Sequence, residues 1–183
     1  DNYFTLEMVI DWLGANAADF PDPFLGYFHF IPPHDPYGTR VDFFDAFKGD
    51  GFRPTVKADD KFFYSGPPAD KMPEWRRPYD EFILYVDSEF GRLFQQLETA
   101  GILDETWVVL TSDHGEHFER GIAGHLTPVL YEPVIHIPLM IFEPGRSSRT
   151  DIYAPTSAVD VLPTLLYMTE GTIPDGVDGL VLP

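Results

Sequence analysis

The sequence predicts an α/β fold in which helices flank a mostly parallel sheet. Two stretches, 79–99 and 158–169, place apolar residues at helical spacing. Two short apolar runs, 106–111 and 137–142, have the length and composition of buried strands. With a further strand predicted over 24–31, the order along the chain is strand, helix, strand, strand, helix, which indicates an α/β layer fold around a mostly parallel sheet. The 183 residues are enough for one ordinary domain with its own core.

Each predicted helix has recognisable ends. Apolar residues at positions 6, 9, 10 and 13 predict a first helix, with Thr5 as N-cap and Gly14 as its end. The second helix, 79–99, carries one apolar stripe and is followed by Gly101, a natural stop. The last helix, 158–169, begins at Ser157 or Asp160, and Pro163 is easier to place if Asp160 is the cap.

The strands are predicted from continuous apolar runs. Residues 24–31 are aromatic and nearly continuously apolar, which predicts a buried strand. Residues 106–111 suit a central parallel strand, whereas Pro138 weakens the strand predicted over 137–142. Between the first strand and the second helix, residues 32–77 are rich in proline and show no period, and a loop of that length is often functional.

Composition excludes several classes of partner and site. The formal net charge is −18, which argues against nucleic acid or an anionic membrane surface as the main partner. The chain has no cysteine, so disulfides, thiolate metal sites and a cysteine nucleophile are absent, and the compartment stays open. It also lacks a run of about 18 apolar residues that would span a membrane. The first residues have no basic segment typical of a signal peptide and suggest a start inside a longer protein.

The densest group of polar residues, 112–117, follows the predicted strand 106–111. In an open α/β sheet, ligands bind beyond the carboxyl ends of the strands. Asp113 and His114 offer a carboxylate and an imidazole, which together suit a divalent cation such as Zn²⁺, Mn²⁺ or Ca²⁺. Gly115 would give the backbone room to bend. The alternative is an exposed Asp-His turn without a function.

Residues 111–116, TSDHGE, resemble a motif of the sulfatase family in the alkaline-phosphatase superfamily. Four further segments resemble motifs of that family in the same order. They are 28–37 (HF-x-x-PHxPY), 79–93 (YD…VD…GRL), 130–139 (LYE…VPL) and 159–179 (D…PTLL…DG). Together they run from about residue 20 to the end of the chain, and the resemblance implies the alkaline-phosphatase and sulfatase type of α/β fold.

The resemblance implies a role for four side chains. Asp113 and His114 would be metal ligands, His34 would contact the sulfate or phosphate group, and His125 would lie near the leaving group as a catalytic residue. The family's lysine that often follows the position of His125 is missing. The implied cofactor is one divalent metal ion (Ca, Mn or Zn), held at a site shared with an N-terminal portion. The remaining candidates, His117 and His136, are expected to be structural or solvated.

Part of the family's pattern is missing from the sequence. The family's N-terminal part supplies an acidic metal-binding pair and a nucleophile in a C/S-x-P-x-R motif. No such motif occurs here, and the nearest approach, residues 65–69, lacks the arginine. Residues 1–183 are therefore predicted to be part of a single sulfatase-like catalytic domain, truncated at the N-terminus and inactive in isolation.

The leading hypothesis is a metal-dependent hydrolase of sulfuric esters, acting on a small-molecule or glycan sulfate or phosphate ester. One alternative is a phosphoryl-transfer relative, such as a phosphonate or phosphodiester hydrolase or a phosphoethanolamine transferase. Another is a degenerate, non-catalytic domain. The nucleophile would discriminate between the first two, since cysteine favours a sulfatase and serine or threonine favours phosphoryl chemistry.

Overall fold

The computed structural model describes residues 5–56 and 66–182. Residue 65, which begins the segment nearest to a nucleophile motif, lies outside the described residues, as does part of the predicted loop 32–77. The chain divides into two compact units, Asp1–Gly145 and Arg146–Pro183. In the part of the chain that the structure describes, no helix has the length and apolar content to cross a membrane.

Two helices form the core of the first unit. Helix α1 spans Leu6–Asn16, and the Thr5 side chain caps it by accepting a hydrogen bond from the Met8 N–H at 3.3 Å. Helix α2 spans Met72–Thr99. Their apolar faces pack together, and the buried residues of this core are Leu6, Ile10, Leu13, Phe82, Tyr85 and Leu93.

Glycine plays different parts in the two helices. Gly14 was predicted to end α1, but the helix continues through it to Asn16. A Cβ at Gly14 would overlap the side chain of Gln96 on α2, so the two helices approach closely at this glycine. Gly101 does follow the end of α2, in the left-handed conformation at φ 72°.

Helix α2 begins earlier than the predicted residue 79. Pro73 lies in its first turn, where a missing N–H is tolerated, and Met72 anchors that turn because it is fully buried. Pro78 lies inside the helix and is flanked by an ion pair between Arg76 Nε and Asp80 Oδ2 at 2.8 Å. Burial and this (i, i+4) pair offset the hydrogen bond that proline cannot make.

Four short strands follow α2. Strands β1 (Val108–Thr111) and β4 (Leu139–Phe142) pair antiparallel, with Val108 opposite Phe142 and Thr111 opposite Leu139. Strands β2 (Phe118–Glu119) and β3 (Ile122–Ala123) form an antiparallel hairpin. The strands predicted over 106–111 and 137–142 are thus present but shorter. The mostly parallel sheet is not confirmed, because both sheets among the described residues are antiparallel.

The prediction of a buried strand over 24–31 is wrong. These residues are irregular, and Leu25 and Tyr27 are 87% and 83% exposed. Apolar content alone does not make a strand, since its N–H and C=O groups need a neighbouring ladder. Within the described ranges no strand pairs with this segment.

A short helix, α3 (Glu132–Ile135), lies between β3 and β4, and the second unit contains α4 (Val161–Met168). A 3₁₀ turn over Ala158–Asp160 precedes α4, so the helix predicted over 158–169 starts as a tighter turn. Both predicted caps are used. Ser157 and Asp160 form a capping box, and Asp160 also accepts a hydrogen bond from the Leu180 N–H at 2.8 Å.

Candidate active site

The turn that follows β1 is held by its own side chains and by α3. Ser112 Oγ donates to the His114 carbonyl at 2.7 Å, and the His114 N–H donates to Asp113 Oδ1 at 2.9 Å. The Gly115 N–H donates to the Val134 carbonyl at 2.7 Å. The chain therefore leaves β1 in a fixed direction, with Asp113 and His114 at the strand end.

Gly115 is required for a reason other than the bend that the sequence suggested. Its φ is not in the positive region that favours glycine. A Cβ at this position would lie 3.4 Å from Val134 Cα and would overlap the carbonyl oxygen of Pro133. Glycine is needed because the backbone of α3 passes directly against the turn.

Asp113 and His114 present two donor groups of the kind that bind a divalent metal. His114 Nδ1 lies 2.8 Å from the Gly115 carbonyl oxygen, which can only accept, so Nδ1 carries the proton and Nε2 has the lone pair. Nε2 lies 3.9 Å from Asp113 Oδ1, a separation that one ion with bonds of about 2.0–2.2 Å can span. The donors thus fit a metal ion.

The carboxylate of Asp113 is 67% exposed and is kept ionised by its surroundings. Partial burial acts to raise the pKa of Asp113, but the neighbouring His114 and hydrogen bonds from backbone N–H groups outweigh it and hold the pKa below its usual value. An ionised carboxylate is the form that binds a metal.

Three histidines from separate segments lie together at this site. The ring centroids of His114 and His125 are 4.1 Å apart, and His34 lies 5.3 Å from His125 and 6.5 Å from His114. His34 comes from the loop after residues 24–31, His114 follows β1, and His125 follows β3. The structure therefore brings together the four side chains that the sequence singled out.

The Nδ1 atom of each histidine faces an acceptor. In His34 it lies 2.7 Å from the Asp35 carbonyl oxygen, and in His125 it lies 3.1 Å from Glu116 Oε1. With the proton on Nδ1, each ring keeps Nε2 for a ligand. Among the described residues, however, no group of three or more acidic or histidine side chains is arranged to hold a metal. Asp113 and His114 alone are fewer than the four ligands of a structural zinc site.

Sequence reasoning missed Tyr37 and Glu116 as parts of this site. The Tyr37 hydroxyl donates to Glu116 Oε2 at 2.8 Å. Burial, followed by this carboxylate, raises the pKa of Tyr37 far above its usual value, and burial raises the pKa of the neighbouring Tyr79 to about 12. Both hydroxyls therefore stay protonated. The signal was available, because Tyr37 and Glu116 belong to the PHxPY and TSDHGE segments.

Two further histidines, His117 and His136, lie outside this group of three rings. His117 is fully buried, with its ring edge-on to Tyr131 at 5.6 Å, and burial lowers its pKa. His136 lies at the surface beside Glu132. These positions agree with the expectation that His117 and His136 are structural or solvated.

Comparison with known proteins identifies the family. A family model described as Sulfatase matches residues 3–172. The chain belongs to the sulfatase family. It is 27% identical over 172 residues to an ulvan-active sulfatase from Formosa agariphila, covering 92% of this chain and 32% of the relative. It is 31% identical over 153 residues to a choline-sulfatase from Rhizobium meliloti, covering 74% of this chain and 29% of the relative. The chain thus spans about a third of the length of these curated relatives.

A solved structure supports the fold. The phosphonate monoester hydrolase from Silicibacter pomeroyi matches with a TM-score of 0.81 and 22% identity, covering 98% of this chain and 40% of that chain. At that identity the likeness concerns the fold alone, which agrees with the alkaline-phosphatase type that the resemblance implied.

Proposed function

We propose that the protein containing this chain is a metal-dependent hydrolase of sulfuric esters. The observation that carries the proposal is the convergence of His34, His114 and His125 beside Asp113, each ring with Nδ1 engaged and Nε2 available. Family membership supports sulfate-ester chemistry over other uses of a histidine cluster. Convergence of the three rings also argues against a degenerate domain.

Asp113 and His114 would hold a divalent metal ion. When bound, such an ion neutralises the anionic oxygens of the ester and lowers the pKa of a nucleophilic hydroxyl. Asp113 contributes a negative charge, and His114 contributes the Nε2 lone pair that its hydrogen bond to Gly115 leaves free. The net charge of −18 repels anionic esters at long range, so positive charge at this turn has to reverse the local field.

His34 would bind the ester's non-bridging oxygens. Its Nδ1–H donates a hydrogen bond to the Asp35 carbonyl oxygen, so His34 donates to an anion from Nε2 when both ring nitrogens are protonated. His125 would act as general acid in its doubly protonated form, in which Nδ1–H donates to Glu116 and Nε2 carries a second proton. That Nε2 proton passes to the bridging oxygen as the sulfur–oxygen bond breaks, so that the alcohol leaves neutral. The position of His125 beside both other rings supports this division of roles.

The proposed substrate class is not restricted to sulfate esters of one particular alcohol. The names of the two curated relatives carry different substrates, ulvan and choline, so we propose a small-molecule or glycan sulfate ester. We further propose that residues 1–183 belong to one catalytic domain. The family match supports this, because residues 3–172 include parts of both compact units.

The test compares 4-nitrophenyl sulfate with 4-nitrophenyl phosphate and a phenylphosphonate monoester, using the complete gene product with and without a chelator. We expect the highest kcat/KM with the sulfate and its loss on chelation. A higher kcat/KM with the phosphonate or phosphate would instead establish a phosphoryl-transfer relative. Turnover that survives chelation would contradict metal dependence.

A further inference from the structure

Glu116 is a buried carboxylate to which the proposed roles assign no task. Its side chain is 4% exposed, and the residue lies two positions before β2. A buried carboxylate is unfavourable unless hydrogen bonds or a positive charge compensate for the lost water. The contacts of Glu116 therefore indicate what it does.

The two carboxylate oxygens of Glu116 hold partners from two other segments. Oε2 accepts a hydrogen bond from the Tyr37 hydroxyl at 2.8 Å. His125 Nδ1 lies 3.1 Å from Oε1 and 3.3 Å from Oε2. Tyr37 is fixed in turn by aromatic packing, with its ring centroid 5.3 Å from that of Tyr79 and 6.2 Å from that of Phe118. The carboxylate is thus held in place by a packed phenol.

This arrangement decides which nitrogen of His125 is free. A carboxylate accepts, so Nδ1 must carry the proton that lies between the two groups. Nε2 is the nitrogen that Glu116 leaves free, on a ring whose centroid lies 4.1 Å from that of His114 and 5.3 Å from that of His34. Those two rings are held by backbone carbonyls of adjacent residues, whereas His125 is held by a side chain nine positions away.

We propose that Glu116 is a positioning residue that sets the tautomer and orientation of His125, so that Nε2 meets the leaving oxygen of the ester. Its role in turnover rests on the proposed function, since it assumes that His125 meets the ester. The orientation of the ring does not depend on that assumption and can be measured without turnover.

The variant Glu116→Gln keeps the shape of the side chain and replaces one accepting oxygen with an amide. With phenyl sulfate, we expect kcat to fall about 10–100-fold while KM changes little. The reason is that a misoriented His125 slows proton transfer to the leaving oxygen but does not weaken binding of the ester. With 2,4-dinitrophenyl sulfate, kcat should stay within about threefold, since that phenolate leaves without a proton. A general loss of structure would lower both rates together.

Three further variants separate positioning from folding. Glu116→Asp restores a carboxylate and should recover more phenyl sulfate turnover than Glu116→Ala. The matched control is Glu119→Gln, a carboxylate on β2 whose Oε1 is paired with Arg120 Nε at 2.9 Å. We expect the control to leave both rates unchanged. Equal losses in Glu116→Gln with both esters would overturn the inference.

The ring itself is observed by nitrogen-15 NMR of histidine-labelled complete gene product. We expect His125 to carry its proton on Nδ1 in the parent protein and to show a mixed tautomer in Glu116→Gln. An unchanged His125 spectrum in that variant would overturn the inference about Glu116. A parent protein that turns over no sulfate ester would instead overturn the proposed function, and the tautomer measurement would still decide the contact between Glu116 and His125.

Discussion

Replacing Gly115 by alanine should disable the site while leaving most of the fold intact. The added Cβ would lie closer than 3.0 Å to the carbonyl oxygen of Pro133 and 3.4 Å from Val134 Cα. Both are backbone atoms of α3, so the overlap cannot be relieved by rotating a side chain. The turn carrying Asp113 and His114 has to shift instead, by a distance on the order of 1 Å.

The expected magnitudes follow from that shift. Overpacking against a fixed backbone destabilises a protein by about 1–3 kcal/mol. A displacement of about 1 Å in a catalytic group lowers the rate by about 10²-fold. We therefore expect kcat/KM of Gly115→Ala with an aryl sulfate to fall about a hundredfold, together with reduced metal content.

The assay combines steady-state kinetics, metal analysis by mass spectrometry and thermal unfolding of the complete gene product. The matched control is Gly91→Ala, on the exposed face of α2, where an added Cβ would have no atom within 4 Å. That change should stabilise the protein by about 0.5–1 kcal/mol because alanine is the better helix former. If Gly115→Ala keeps parental kcat/KM and metal content, the reasoning from the contact with α3 is wrong.

Three further outcomes are expected. Asp113→Ala should lose both metal and activity. His34→Ala should keep its metal and lose about 10²–10³-fold in kcat/KM, as for one oxyanion donor. Loss of metal from the His34 variant would contradict the proposal that His34 binds the ester and not the metal. The isolated 183-residue chain should neither hydrolyse aryl sulfates nor bind a divalent ion tightly by calorimetry, because Asp113 and His114 supply too few ligands; saturable turnover would refute this. The free energy of unfolding of the complete protein should fall as pH drops below about 6.5, by up to about 1.4 kcal/mol per pH unit. The reason is that His117 takes up a proton in the unfolded chain, whereas burial lowers its pKa in the folded protein. Denaturant titrations should show a weaker pH dependence in His117→Phe.

The sequence by itself determined the family and the four candidate side chains. Asp113 and His114 sit beside each other in one motif, so their proximity needed no tertiary information. Helices α1, α2 and α4 were also predictable, because their apolar spacing and caps such as Thr5 are local signals, whereas the four-residue α3 was not predicted. The sequence could not show that α2 continues through Pro78, since that depends on buried Met72 and ion pairs along the helix.

Tertiary structure alone decided the strand partners and the hydrogen bonds of the site. An apolar run such as 24–31 forms a strand only if another strand lies beside it. Strand pairing joins residues far apart in the sequence, so the run itself does not show whether a partner is present. Likewise, Tyr37 and Glu116 are 79 positions apart, and Glu116 contacts both Tyr37 and His125 only because three segments meet. Residue type shows which side chains can bind a metal or carry a proton. Only packing determines that Nε2 of His125 is free, because packing places the Glu116 carboxylate against Nδ1.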